Sequence, residues 1–465
     1  MHSNRRDFLK SSAAAAVWTA TGPRLRALAG PPAREILLAA SPVTVDVGGR
    51  AVTTWAYNGR VPGPEIRVRQ GERLRIVLRN DLPQPTTIHW HGLPVPNAQD
   101  GVPGLTQDPV APGETFVYEF DATTPGTYFY HSHQGLQLDR GLYGPLVIEP
   151  ASPPPAEASD REHTLVLDDW LDGTPEEAYA ALGASGAGGM GGMGRRAADG
   201  PLYARYLVNG APTGAIPPLR VARGERVRLR LVNASAATTM RVGVAGHRLT
   251  VTHSDGQPVE PVDVDTLVIG MGERYDVVLR AENHGAWPLV TGPADSSVPG
   301  AIVPVIYEGT APTLPPVFVW PTSLWRGRTL RYADLVPSGG APTLAAIDRV
   351  IPLTLGWSPF GYVWTINGQA YPDADPIALT GGERVRLQIF NATMMRHPMH
   401  LHGHFFEVVG RGARPSGLVK DTVLVEPMMG GVALDFTADN PGRWFFHCHH
   451  LYHMEAGMAR ALEYV

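Results

Sequence analysis

Gly71-Glu72-Arg73-Leu74-Arg75-Ile76-Val77-Leu78-Arg79-Asn80 reads as a β-strand with one buried face. Leu74, Ile76 and Leu78 alternate with Arg73, Arg75 and Arg79, and only Val77 breaks the period of two. The same signature returns twice: GERVRLRLVN begins at Gly224 and GERVRLQIFN at Gly382, at offsets of 153 and 158 residues. An Asn-Gly turn signal precedes each copy, at Asn58-Gly59, Asn209-Gly210 and Asn367-Gly368. Proline clusters separate the copies, at Pro150 with Pro153, Pro154 and Pro155, and at Pro312 with Pro315 and Pro316. A strand-rich repeat of this length predicts three successive β-sandwiches of Greek-key type, over residues 35–150, 160–310 and 318–465.

Composition agrees with that reading. The chain has 465 residues, too many for one core, with 52 Gly, 44 Pro and only 18% charged residues. Amphipathic helical stretches are few. The Gly, Ala and Met tract at residues 181–200 has no core-forming pattern and is expected to form a loop in the second domain. Net charge is −5 with no basic block, which removes the electrostatic support for binding nucleic acid or an acidic membrane.

Residues 1–29 read as a targeting segment. Arg5-Arg6 is followed by Asp7, Phe8, Leu9 and Lys10, then a weakly apolar run, and Ala27-Leu28-Ala29 resembles a cleavage site. This order matches a twin-arginine export signal, and places the mature protein in a bacterial periplasm or outside the cell. The run is far short of the ~20 apolar residues that a membrane span needs.

Four His-x-His pairs sit within the repeat: His89/His91, His131/His133, His400/His402 and His447/His449. On a strand, residues i and i+2 share a face, so each pair can offer two imidazoles to one point. His89-Trp90-His91-Gly92 aligns with Gly243-Val244-Ala245-Gly246 and with His400-Leu401-His402-Gly403. His131-Ser132-His133 aligns with Val290-Thr291-Gly292 and with His447-Cys448-His449. The outer domains thus keep eight equivalent histidines, and the middle domain has lost them. Eight imidazoles at a junction of the first and third domains would suit copper, iron or zinc, without choosing between them.

Cys448, the one cysteine, makes the choice. It lies between His447 and His449, so on a strand its thiolate faces the other way. His453, Met458 and the upstream His397 complete two imidazoles, a thiolate and a weak thioether, the set of a blue electron-transfer copper. A few covalent bonds along one strand would then join the two centres. Ser132 holds the cysteine's place in the first domain, so no second blue site is expected there.

From about Val43 to the C-terminus the chain resembles the multicopper oxidases, on the motifs HWHG, HSH, HPMHLHGH at residues 397–404 and HCHHLYHMEAGM at residues 447–458. The last motif is most similar to the copper-resistance and bacterial laccase-like branch. The resemblance implies cupredoxin-like domains and four copper ions. His397, Cys448, His453 and Met458 would hold type 1 copper, and His89 and His400 type 2. His91, His131 and His449 would hold one type 3 copper, and His133, His402 and His447 the other. Four stored electrons would reduce dioxygen to water.

Asp100, in Gln99-Asp100-Gly101, matches an acidic residue beside the cluster and is a candidate proton relay, although Asp-Gly is also an ordinary turn. Many relatives carry a glutamate directly after the last type 1 histidine; here Met454 stands there, and Glu455 is the substitute candidate. Of the other histidines, His163, His247, His253, His284, His404 and His450 are expected to be packed or at the surface.

The resemblance implies a donor touching the edge of His453, with phenols or aromatic amines as the class. Cu(I) is the rival donor, because soft thioethers suit it; Met190, Met193, Met394, Met395, Met428 and Met429 supply such groups. A non-catalytic scaffold would have lost ligands, and all twelve positions are filled. Met458 predicts a reduction potential at the lower end for the family. A monomer is expected.

Overall fold

Each copy of the repeated strand lies inside a sheet, with equivalent neighbours in all three cases. Arg73–Asn80, Arg226–Asn233 and Arg384–Asn391 run parallel to Arg34–Asp46, Arg161–Trp170 and Arg349–Ser358. On the other side they pair antiparallel with Thr115–Asp121, Arg274–Arg280 and Gly431–Thr437. Their apolar positions are buried: Leu74, Ile76 and Leu78, then Val227, Leu229 and Leu231, then Val385, Leu387 and Ile389. The computed structural model describes residues 33–465 except 153–157, 187–199, 312, 315, 341–345, 359–360, 410–414 and 429. The targeting segment, Met190, Met193 and Met429 therefore lie outside the described residues.

The Asn-Gly signals have a specific use. Asn58, Asn209 and Asn367 take the left-handed conformation, with φ of 51°, 52° and 55°. Each side chain accepts a hydrogen bond from the parallel strand, from the N–H of Ala39, Val166 or Thr354 at 2.7, 2.8 and 2.7 Å. Each also donates to a carbonyl two residues earlier, of Leu37, Thr164 or Pro352. The turn thus staples the first strand of each sandwich in register, and Asn is suited because it tolerates positive φ.

A second sheet faces each of these. In the first domain its order is Ile66–Arg69, Tyr143–Glu149, Gly126–His131, His89–His91. In the third it is Ile377–Leu379, Ala459–Tyr464, Arg443–Cys448, His397–Leu401, Thr422–Val425. The middle domain repeats the plan with Leu219–Val221, Ala301–Tyr307, Ala286–Pro293, Met240–Val244 and Thr266–Ile269. The protein is thus nearly all-β, three cupredoxin-like sandwiches in series.

Two details differ from the sequence reading. The helix Pro175–Gly186 occupies the start of the tract expected to be a loop, with Leu182 buried against Leu136, Leu138 and Tyr452. The segment after Tyr307 is more than a joint: Trp320 and Leu324 are buried against Ala245 and Val290 of the middle sandwich. The third sandwich's own strands begin at Arg349. No helix among the described residues is long and apolar enough to cross a membrane.

Candidate metal centres

Strand register brings the histidine pairs together. His89 lies opposite His131, and His400 opposite His447. The corresponding pair in the middle sandwich is Gly243 and Val290, in the same register. There the space is apolar, and Leu324 reaches over Gly243. The register of this pair repeats in all three sandwiches; the chemistry does not.

The eight histidines from the outer sandwiches meet in one buried cluster. Three groups have facing ligand atoms within 4.8 Å of one another: His89, His91 and His400; His91, His131 and His449; and His133, His402 and His447. His400 Nε2 is 3.4 Å from His89 Nε2, and His402 Nε2 is 3.0 Å from His447 Nε2. A fourth group joins His397, Cys448 and His453. There the thiol Sγ is 3.5 Å from His397 Nδ1 and 3.8 Å from His453 Nδ1. Met458 is fully buried beside this trio, and its carbonyl accepts the N–H of Cys448 at 3.0 Å.

Hydrogen bonds fix which nitrogen points inward in six of the eight rings. A carbonyl oxygen can only accept, so Nδ1 carries the proton where it meets one. This holds for His89 against Asp100 O at 2.9 Å, His131 against Ser132 O at 2.9 Å, His400 against Asp421 O at 2.8 Å and His447 against Cys448 O at 3.0 Å. His402 Nδ1 donates to the Asp100 carboxylate at 3.0 Å. His91 is reversed: its Nε2 faces Asp421 Oδ1 at 3.2 Å and Thr422 Oγ1 at 3.0 Å, so Nδ1 turns inward. Asp100 thereby holds one imidazole from each outer sandwich.

The donor set fits copper. His91 Nδ1, His131 Nε2, His133 Nε2 and His449 Nε2 are buried without a hydrogen-bond partner, a costly arrangement that a metal ion relieves. Burial, then neighbouring imidazoles, hold His91, His133, His400, His402 and His449 well below the usual histidine range. His397 and His447 are pushed down to about 3, chiefly by burial. Neutral imidazole is the form that ligates. Burial pushes the Cys448 thiol up, and a coordinated metal is what would take its proton.

Sequence reasoning missed Asp421, Thr422, Trp364 and Thr393. Asp421 accepts a two-pronged bond from Arg274 of the middle sandwich, at 2.7 and 2.6 Å. Gly272, with φ of +84°, leaves room for the cluster, because a Cβ there would come 2.8 Å from His91 and 3.0 Å from His449. The middle domain, which contributes no side chain to these groups among the described residues, therefore shapes the site. The available signal was Lys420-Asp421, two charges inside an otherwise apolar run. Thr393 Oγ1 meets His397 Nε2 at 2.7 Å. Glu455 is exposed at the end of the short helix Leu451–Glu455 and joins none of these groups. In the first domain Ser132 donates to Gln137 at 2.8 Å, an ordinary buried polar contact.

Of the remaining histidines, His404 and His247 are packed equivalents. Each bridges a carbonyl two residues earlier and a tyrosine hydroxyl, Tyr464 at 2.7 Å and Tyr307 at 2.8 Å. His450 is buried and stacked on His453, with centroids 3.6 Å apart at 3°. Trp364 covers the other face of His453 at 3.9 Å and 27°. The expected donor contact on the edge of His453 is therefore not available: that ring is 0% exposed.

A cupredoxin-like triple sandwich with one His₂Cys group wired by adjacent residues to an eight-imidazole cluster defines a multicopper oxidase. Three family models described as multicopper oxidase match residues 39–153, 161–303 and 348–465. The chain is 38% identical to the multicopper oxidase MmcO of Mycobacterium tuberculosis, over 92% of this chain and 86% of that one. It is 30% identical to a copper resistance protein A homolog of Pseudomonas syringae pv. tomato, over 98% of both. The crystal structure of the laccase from Botrytis aclada superposes with a TM-score of 0.78 at 28% identity, over 92% of this chain and 87% of that one. The chain belongs to the multicopper oxidase family, in its bacterial laccase-like and copper-resistance branch, and is a copper-dependent oxidoreductase with oxygen as acceptor.

Proposed function

We propose that the enzyme couples four one-electron oxidations of a small phenol or aromatic amine to the reduction of dioxygen to water. Bound at the four groups, copper supplies one-electron acceptance at Cys448 and storage of the further electrons at the imidazole cluster. One observation carries the reading: Cys448 faces one group while its chain neighbours His447 and His449 face the others. His397, Cys448, His453 and Met458 are assigned to type 1 copper, and His89 with His400 to type 2. His91, His131 and His449, and His133, His402 and His447, are assigned to the type 3 pair.

The chain's own groups set tautomers and move protons. Asp100 orients His89 and His402, and Asp421 orients His91 and His400. Both carboxylates stand where protons are needed, and Asp100 is assigned as the relay. Glu455, being exposed, is the weaker candidate. A cavity of about 420 Å³ lies beside His450, lined among others by Tyr203, Tyr206, Asp295 and Met395, a size that admits a single aromatic ring. Met271, Met394 and Met395 also line it, and favour Cu(I) as the second reading of the donor. The twin-arginine motif supports a periplasmic or extracellular site of action.

The test is copper per chain and oxygen uptake, with wild type and Cys448→Ser. The proposal expects copper-dependent oxygen consumption with a phenol, and a variant that binds less copper, lacks blue colour and consumes no oxygen. Oxygen uptake with Cu(I) alone would hand the function to the second reading. Bound copper without any uptake would leave a storage protein.

A further inference from the structure

His453 is closed off from solvent, and His450, which is stacked on it, lines the donor cavity. Two rings sandwich His453. Trp364 is 2% exposed and does not line the cavity; His450 does. The His450 and His453 rings are nearly parallel, 3.6 Å apart at 3°, so their π faces are in van der Waals contact. Gly200, at φ +106°, makes room for this ring: a Cβ there would come 2.9 Å from His450 Cε1 and Nε2. The ring is thus held flat between the cavity and the buried histidine.

We propose that His450 is the bridge by which electrons enter the protein, replacing direct contact between donor and His453; this rests on the type 1 assignment above. With copper(II) held by His397, Cys448 and His453, a phenol in the cavity would pass one electron across the stacked imidazoles to that centre and become a phenoxyl radical. The phenolic proton goes to water at the cavity mouth. His450 ends each transfer unchanged, so it is a positioning residue for electron transfer and holds no metal.

The experiment uses copper-loaded full-length protein and its His450→Leu and His450→Phe variants. The blue band is recorded first. Reduction of that band is then followed without oxygen, with hydroquinone and with Cu(I) as separate donors. Hydroquinone binding to the copper-free proteins is measured by calorimetry. The expectation is an unchanged band and similar affinity in all three. Reduction of His450→Leu should slow about tenfold or more, and His450→Phe, which keeps a π face, should stay within about threefold of wild type. His450→Leu reduced at the wild-type rate, or slowed only by lost affinity, overturns the bridge. If Cu(I) alone reduces wild type, the aromatic reading falls, and the same comparison with Cu(I) still decides the bridge. A loaded wild type without a blue band sinks the type 1 assignment and the bridge with it.

Discussion

Met458 sits where a small change in chemistry can be separated from a change in structure. Its side chain is fully buried, and its backbone is tied to both Cys448 and His453. Met458→Leu is close to isosteric and should cost less than about 1.5 kcal/mol. Loss of the thioether should raise the midpoint potential of the blue centre in a spectroelectrochemical titration; an unchanged midpoint would remove Met458 from the coordination sphere. Asp100 is a second such residue. Its Oδ1 lies 3.2 Å from Nδ1 of both His89 and His402 and its Oδ2 accepts from His402 at 3.0 Å; an amide keeps one such oxygen, loses the charge and turns a donor toward the other place. Asp100→Asn should keep the blue band and lower copper occupancy or oxygen uptake about 10–100-fold. Full activity would reduce Asp100 to a turn residue. The imidazoles were legible in the sequence because i and i+2 on a strand carry their own geometry. Asp421 was not, because its meaning depends on Arg274, 147 residues away.

At the level of strands, alternation predicted the buried face of each repeat correctly but misjudged the other face in one copy. In Arg226–Asn233 the pattern puts Arg228 and Arg230 outward, yet they are 6% and 4% exposed. The first sandwich packs there, and Arg230 bonds Thr127, Asp276 and Glu162. Alternation identifies two faces and cannot say that a neighbouring domain covers the polar one. The adjoining strand Arg274–Arg280 makes the same point at higher stakes. Its first residue, Arg274, is 0% exposed and pairs with Asp421 of the third sandwich and the carbonyl of Thr127 in the first. Arg274→Ala would leave Asp421 buried without its cation, at a cost of about 3–5 kcal/mol. Denaturant unfolding measures this directly. A loss below about 1 kcal/mol would mean that Asp421 finds another partner.

Across the whole molecule, the metal cluster lies where the apolar core is interrupted. Middle and third sandwiches share one continuous apolar cluster, while the first has its own. Between the first and third stand two small patches, one around Val102, Leu105 and Phe445 and one of Leu136 and Leu138 with Leu451 and Tyr452, a few polar contacts such as Asn97 to Arg443 O at 2.6 Å, and the imidazoles. His89 and His400 are 311 residues apart, so copper held by both, as proposed, would close a very long loop. Ligand bound only to the folded state stabilises it by RT ln(1 + [L]/Kd), about 2.7 kcal/mol at a hundredfold excess over Kd. Chelating the copper should therefore lower the unfolding temperature and loosen the first sandwich first. Hydrogen exchange should rise at His89–His91 and Gly126–His131 before it rises at Arg226–Asn233. Cys448→Ser supplies the control, because it empties only the group within the third sandwich and leaves the bridging imidazoles intact. That variant should protect the first sandwich nearly as well as wild type does. Equal loosening of all three sandwiches on copper removal would mean that protein contacts alone hold the outer pair together.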